Sequence, residues 1–287
     1  MMKRYIFNWM ILALLFCTTA CSEDDLGPSI FDTSGDDLTE LDLWMQNNFV
    51  KPYNIEVLYK WKDIESDMTA NLTPPTEENA KGFAGTLKRI WCEPYVNIAG
   101  DVFFKKLAPK QLLLIGSSRY NSSGTVTKGE AEGGRKIIIY EIDQYNIKDA
   151  TRLKRYMKTI HHEFAHIAAQ TIEYPKEFEQ ITPEYVENWD KIKDVDAYNK
   201  GFLSNYAMSE PSEDFAEIVG FMLSNSAEDW EKMLDLPATQ EAKDKLRQKV
   251  EMVLVYYRDT WNVDLTALQA GCEKALYDVV NGITVNP

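Results

Sequence analysis

Apolar residues recur at helical spacing through the second half of this chain and fall in short runs through the first. Leu153, Met157, Ile160 and Phe164 lie at i, i+4, i+7 and i+11, and with a start near Asp149-Ala150-Thr151 they predict a helix over 149–171. Phe215, Ile218, Val219 and Met222 mark the apolar face of another helix, opened by Pro211, a residue suited to a first helical turn. Leu246, Val250, Val253, Tyr257 and Trp261 form one further stripe, and Leu265, Leu268, Cys272 and Leu276 the next. Upstream, Ile55, Val57 and Tyr59 alternate as a strand does, 112–115 is a short apolar run, and 137–142 is another that follows Gly133-Gly134 and leads straight into the 149–171 helix. Residues 37–40 carry a capping-box signal for a helix through 44–49. Strands followed by helices predict an α+β, helix-rich fold, with a small sheet before the 149–171 helix and a helical C-terminal lobe. There is no internal repeat, and about 250 residues suit one domain with two lobes and a cleft between them.

Within the 149–171 helix stands His162-Glu163-Phe164-Ala165-His166. Positions i and i+4 share a helix face, so two imidazoles can reach one cation, with Glu163 placed to take a proton from a metal-activated water. Such a short pattern also arises by accident on amphipathic helices, so its context decides. All three histidines of the chain lie in 161–166, and no distant histidine can complete a site. A catalytic zinc with three protein ligands would need a carboxylate or a thiolate as the third. His161 points about 100° around the helix from His162 and reads as structural or as a support to a ligand. Downstream, Glu213 and Glu217 are again i and i+4 on the helix opened by Pro211. One can bind the metal and the other can accept the second N–H of a ligand histidine, a role that suits Glu217. The plainer reading is an acidic helix start favoured by the macrodipole.

The HEFAH run, followed by Ser204-Asn205-Tyr206-Ala207 and Glu213-Asp214-Phe215-Ala216-Glu217, resembles the gluzincin pattern of zincin metallopeptidases. Within that group the chain is similar to the zinc-binding metallopeptidase lipoproteins of Bacteroidetes, described as substrate import-associated zinc metallohydrolases. The likeness extends upstream to Lys51-Pro52-Tyr53-Asn54-Ile55-Glu56-Val57. It implies a zincin-like domain holding one Zn2+ per chain, with His162, His166 and Glu213 as ligands and Glu163 as general base. It also implies a supporting role for Glu217 and, for Tyr206, a place near the scissile carbonyl. The implied activity is zinc-dependent hydrolysis of peptide bonds in a peptide or protein substrate. The implied partners are a TonB-dependent importer of the SusC type and a SusD-like lipoprotein. The rival reading is a non-catalytic, zinc-containing surface module that assists such an importer; a base at Glu163 and the lack of an evident fourth protein ligand argue against it.

Lys3 and Arg4 precede an apolar stretch over 5–20, too short for a convincing membrane span, and then comes Cys21. This predicts a lipoprotein signal peptide over 1–20, a lipidated flexible tether over 21–36 and the metallohydrolase domain over 37–287. The leucine usual three positions before a lipobox cysteine is replaced by Thr18. Ser22-Glu23-Asp24-Asp25 resembles the acidic tag that sends such lipoproteins to the cell-surface face of the outer membrane, so the only expected membrane contact is the lipid anchor. The formal charge is −14, and loss of Lys3 and Arg4 makes it more negative still, which argues against nucleic acid as a partner. Once Cys17 leaves and Cys21 is acylated, Cys92 and Cys272 remain. They are either a disulfide or two separate buried thiols.

Overall fold

Continuous apolar runs with no polar alternation belong to strands buried on both faces, and the two central strands of the sheet are built that way. The computed structural model describes residues 38–61, 70–120, 126–127, 129–132 and 135–283. The expected signal peptide, Cys21, the tether, the Asp37 cap and Gly133-Gly134 lie outside these residues. Strands β1 (Glu56–Leu58), β2 (Gln111–Leu114) and β6 (Lys136–Ile139) run parallel, and β5 (Gly129–Glu132) pairs antiparallel on the far side of β6, giving the order β1-β2-β6-β5. Strands β3 (Arg119–Tyr120) and β4 (Val126–Thr127) form a separate small ribbon. Val57, Leu112, Leu114, Ile137 and Ile139 join the main core, while Leu58, Leu113, Ile115, Ile138 and Tyr140 form a second apolar cluster.

The helices supply the rest. Residues 40–53 form α1, which ends on Asn54 in a left-handed conformation. Residues 77–99 form α2, capped by the Thr76 side chain, and Asp101–Leu107 is α3. The long helix α4 spans Ala150–Thr171, with the Asp149 carboxylate accepting the Arg152 N–H at 2.9 Å. After α4 come the short helices α5 (Glu177–Ile181) and α6 (Asp194–Tyr198). Four longer helices follow: α7 (Pro211–Ser224), α8 (Ala227–Leu234), α9 (Gln240–Trp261) and α10 (Leu265–Val280). The fold is α+β and helix-rich, as the sequence predicts. Among the described residues no helix is long and apolar enough to cross a membrane.

Two expectations need adjustment. Strand β6 does not lead straight into α4; it ends at Ile139, and a 3-10 turn at Ile142–Gln144, entered through Glu141 at φ 65°, redirects the chain. Tyr156 of α4 donates to the Glu141 carbonyl at 2.8 Å and so holds that turn against the helix. The Cys92 and Cys272 alternatives resolve to two separate buried thiols.

What positions the site is the packing of α4 on its neighbours. Phe164 sits inside an aromatic cluster, 4.9 Å from the Tyr95 ring and 6.0 Å from Phe104, which fixes the rotation of α4 about its axis. Against α4 lies α7, and the crossing is close because Gly220 has no side chain. A Cβ placed there would stand 3.0 Å from the Lys158 carbonyl oxygen and 3.1 Å from the His162 Cβ. Helix backbones that approach this nearly bring short carboxylate side chains on one within reach of the imidazoles on the other.

Candidate metal centre

The approach of α4 and α7 converges three side chains. His162 Nε2 is 2.9 Å from Glu213 Oε2, His166 Nε2 is 3.3 Å from the same oxygen, and the two imidazole nitrogens are 3.1 Å apart. Ligand atoms bound tetrahedrally at about 2.0–2.1 Å from a zinc ion stand roughly 3.3 Å from one another, so this trio has the spacing of three corners of such a site. Two nitrogens and one carboxylate oxygen are donors that suit zinc. Among the described residues this is the one group of three or more His, Cys, Asp or Glu side chains close enough to share an ion.

Glu217, one turn along α7 from Glu213, is almost fully buried, with 1% of its surface exposed. Its Oε1 lies 3.0 Å from His162 Nδ1, pairing the carboxylate with the imidazole. The same oxygen meets Lys158 Nζ at 2.5 Å, and Oε2 accepts from Ser204 Oγ at 2.7 Å. Ser204 also accepts the Ala207 N–H at 3.1 Å, tying the turn that carries Tyr206 to the support of His162. Tyr206 begins a 3-10 turn, Tyr206–Met208; its ring centroid lies 6.0 Å from that of His162 and 4.9 Å from Trp189.

Charges at the site are coupled. Burial alone would lower His162, but Glu213 and Glu217 pull it up to about 9. Burial would raise Glu213 and Glu217, yet the neighbouring imidazoles hold Glu213 well below its ordinary value, and His162 with Lys158 holds Glu217 near about 2. Glu163 moves the other way. Burial raises its carboxyl, opposed by His162 and His166, and an upward shift suits a group that must both take and return a proton near neutrality. Burial, and then the charge of Glu213, keeps the Tyr206 phenol well above its usual value, so it stays an O–H donor.

His161 stands apart. It is fully buried, its ring stacks on Tyr95, its Nδ1 is 2.8 Å from the Tyr95 hydroxyl, and burial pushes it down to about 3. Beside the centre, Asp214 forms a buried pair with Lys249 at 2.5 Å. Lys249 also donates to the Gly201 carbonyl at 3.0 Å and lies 3.8 Å over the Phe202 ring, and Tyr185 donates to Asp214 at 3.1 Å. These contacts pin the 185–202 segment to the turn of α7 that presents Glu213.

The structure therefore brings His162, His166, Glu213, Glu217, Glu163 and Tyr206 into one neighbourhood and leaves His161 out of it. Three participants escaped the sequence reading. Lys158 carries a visible signal, because it stands four residues before His162 on the same helix face. Ser204 lies within the run that carries the gluzincin likeness, but nothing in its spacing points to Glu217. The Asp214–Lys249 pair joins helices separated by a long stretch of chain and has no local signature.

Comparison with known proteins agrees with this geometry. Residues 35–266 match the family described as putative zinc-binding metallo-peptidase. A crystal structure of a putative zinc-binding metallo-peptidase from Bacteroides caccae is 35% identical, covers 88% of this chain and 97% of its own, and superposes with a TM-score of 0.75. No curated protein matches. With most of its length matched, and a His-His-Glu trio where two packed helices meet, the chain belongs to the family of putative zinc-binding metallo-peptidases.

Proposed function

We propose that this protein is a zinc-dependent peptidase that hydrolyses peptide bonds with a water activated at the His162–His166–Glu213 centre. The observation that carries this reading is the convergence of two imidazole nitrogens and one carboxylate oxygen within 2.9–3.3 Å of each other, with a half-buried carboxylate, Glu163, adjacent in sequence to a ligand. A zinc ion held there supplies Lewis acidity toward a carbonyl and lowers the pKa of water to roughly 7. Glu163 takes the proton of the attacking water and delivers it to the leaving nitrogen. Glu217, itself anchored by Lys158 and Ser204, fixes the His162 ring so that Nε2 stays aimed at Glu213. Tyr206, kept protonated, donates to the oxygen that becomes negative as the carbonyl is attacked.

Strand β5 lies at the edge of the sheet and packs against α4. An extended peptide can add to that edge by main-chain hydrogen bonding, which would lay a scissile bond alongside the zinc helix. The location and partners of the protein are part of the same proposal. The charged start, the apolar stretch and Cys21 support a lipid anchor at the outer membrane, and the likeness to import-associated lipoproteins supports a link to nutrient uptake beside a SusC/SusD-type importer.

The test is cleavage of a peptide library by the wild type and by Glu163→Gln, each with zinc content measured. The reading expects metal in both and cleavage only in the wild type. Zinc-loaded wild type that cuts nothing, or Glu163→Gln that cuts at full rate, would overturn it. For the anchor, labelling with a radioactive fatty acid should mark the wild type and not Cys21→Ser.

A further inference from the structure

Helix α4, together with α7 and α10, lines a half-open cavity of about 220 Å³. Its wall is mainly apolar, built from Ile90, Met157, Leu223, Cys272 and Leu276, and His161 forms part of it. None of His162, Glu163, His166, Glu213 or Glu217 lines it.

Most polar side chains around this cavity are already engaged. Lys154 pairs with Asp229 at 3.3 Å, Ser224 donates to the Gly220 carbonyl at 2.7 Å, Asn225 to that of Phe221 at 2.8 Å, and Asn281 to that of Tyr277 at 2.8 Å. Ser226 and Glu273 accept the Asp229 and Ala227 N–H groups at 3.1 and 3.3 Å, Tyr277 is exposed, and the exception among the buried side chains is His161. Its Nδ1 meets the Tyr95 hydroxyl, while its Nε2 is buried with no partner.

The protonation of that nitrogen follows from the hydroxyl. Among the described residues the Tyr95 O–H has no acceptor other than His161 Nδ1. In a neutral ring Nδ1 therefore accepts and Nε2 carries the hydrogen; in a charged ring both nitrogens carry one. Nε2 is a donor in either case, and a buried donor in an apolar wall calls for an acceptor.

We propose that this cavity binds a small uncharged molecule with an apolar body and a carbonyl oxygen that accepts the His161 Nε2 proton. The size of the body follows from the volume. A dry cavity of about 150 Å³ holds benzene, so 220 Å³ takes roughly six to eight carbons. An ammonium head is disfavoured because it has no lone pair to accept the Nε2 proton, and an anionic head because the Glu273 carboxylate stands in the wall while Lys154 is already paired with Asp229. His161 is fully shielded, so entry displaces a neighbouring side chain. Met157, unbranched and adaptable, is the lining residue best able to give way. Because α4 and α7 both contribute to the wall, an occupant touches the two helices that carry the metal ligands.

The experiment is titration of the purified full chain with 2-octanone, followed by NMR of the histidine rings. Three histidines in the sequence make the His161 Nε2 resonance separable. The proposal expects saturable one-to-one binding with a shift at His161 Nε2, at least tenfold weaker binding of octylammonium, and at least tenfold weaker binding of 2-octanone to His161→Phe and to the cavity-filling Leu276→Trp. Three results would overturn it: no saturable binding, binding that ignores both substitutions, or a permanently bound water as the only partner of Nε2. Should a variant fail to fold, the wild-type His161 shift and the ketone-to-ammonium ratio decide alone. The readout needs no peptidase activity, so it stands or falls separately from the catalytic reading.

Discussion

Replacing Gly220 by alanine tests whether the close crossing of α4 and α7 builds the metal centre. A Cβ at position 220 would sit 3.0 Å from the Lys158 carbonyl oxygen and 3.1 Å from the His162 Cβ, a few tenths of an ångström inside ordinary van der Waals contact. Both obstacles belong to α4 close to its backbone, so neither can rotate away and the helices must part. Overpacking of this kind costs about 1–3 kcal/mol, while alanine in a helix interior gains up to about 1 kcal/mol over glycine. Packing should win, leaving a net loss on the order of 1 kcal/mol. Gly85 is the internal control. It also lies inside a helix, but its added Cβ would meet only Trp44, at an ordinary 3.8 Å, so Gly85→Ala should stabilise by about 0.5–1 kcal/mol. Chemical denaturation of the chelated protein reads both. Helix separation also moves Glu213 and Glu217 away from the imidazoles, and disturbance of such contacts weakens metal binding by roughly 10–100-fold, measurable by competition with a chromophoric chelator. If Gly220→Ala were stabilised as much as Gly85→Ala and held zinc as tightly as the wild type, the helix crossing would not set the site.

Other predictions follow from single contacts. Glu163→Gln should keep zinc and lose about 100-fold or more in kcat, the usual share of general base catalysis; steady-state kinetics beside metal analysis will tell. Glu217→Gln should lower zinc affinity by roughly 10–100-fold through the loss of His162 support, and unchanged affinity would remove Glu217 from the centre. Lys249→Met leaves Asp214 buried without its cation and should destabilise by about 3–5 kcal/mol, much of it recovered in the double variant Asp214→Asn/Lys249→Met; equal loss in both would show that packing, not charge, matters there. In metal-free protein, His162, at about 9 against an ordinary 6.5, adds stability that is full below pH 6.5 and lost as pH rises through about 9. Glu217, at about 2 against 4.5, adds stability that is full above pH 4.5 and lost as pH falls through about 2. Neutral burial of His161, at about 3 against an ordinary 6.5, costs stability as pH falls below 6.5, so the chelated protein should melt highest near pH 6.5, and a Tm that climbed from pH 6.5 to 9 would contradict these pairings.

Much of this arrangement is legible along the chain, and the exceptions have physical reasons. Helix α4 starts and ends where its Asp149 cap and its Leu153–Met157–Ile160–Phe164 stripe predict, because strong periodicity and a side-chain cap are local properties. Strand β5 escaped notice because Gly129-Glu130-Ala131-Glu132 alternates without a β-branched, aromatic or large apolar residue; its pairing to β6 creates it as a strand. The roles of Gly220, Ser204 and Lys249 arise only when helices distant in sequence meet. A glycine within a helix reads as a small loss of propensity until the neighbour it makes room for is known. His161, adjacent to His162 in sequence, turns a hundred degrees away and becomes part of the core.

The most direct test of the account is the zinc content of purified protein after exhaustive dialysis, measured together with chelator-sensitive peptide cleavage on the same sample. One zinc per chain, with cleavage that stops on chelation and returns with added zinc, is the predicted result. A chain that holds no zinc, or cleaves peptides equally well without it, would contradict the assignment of His162, His166 and Glu213 as a catalytic metal centre.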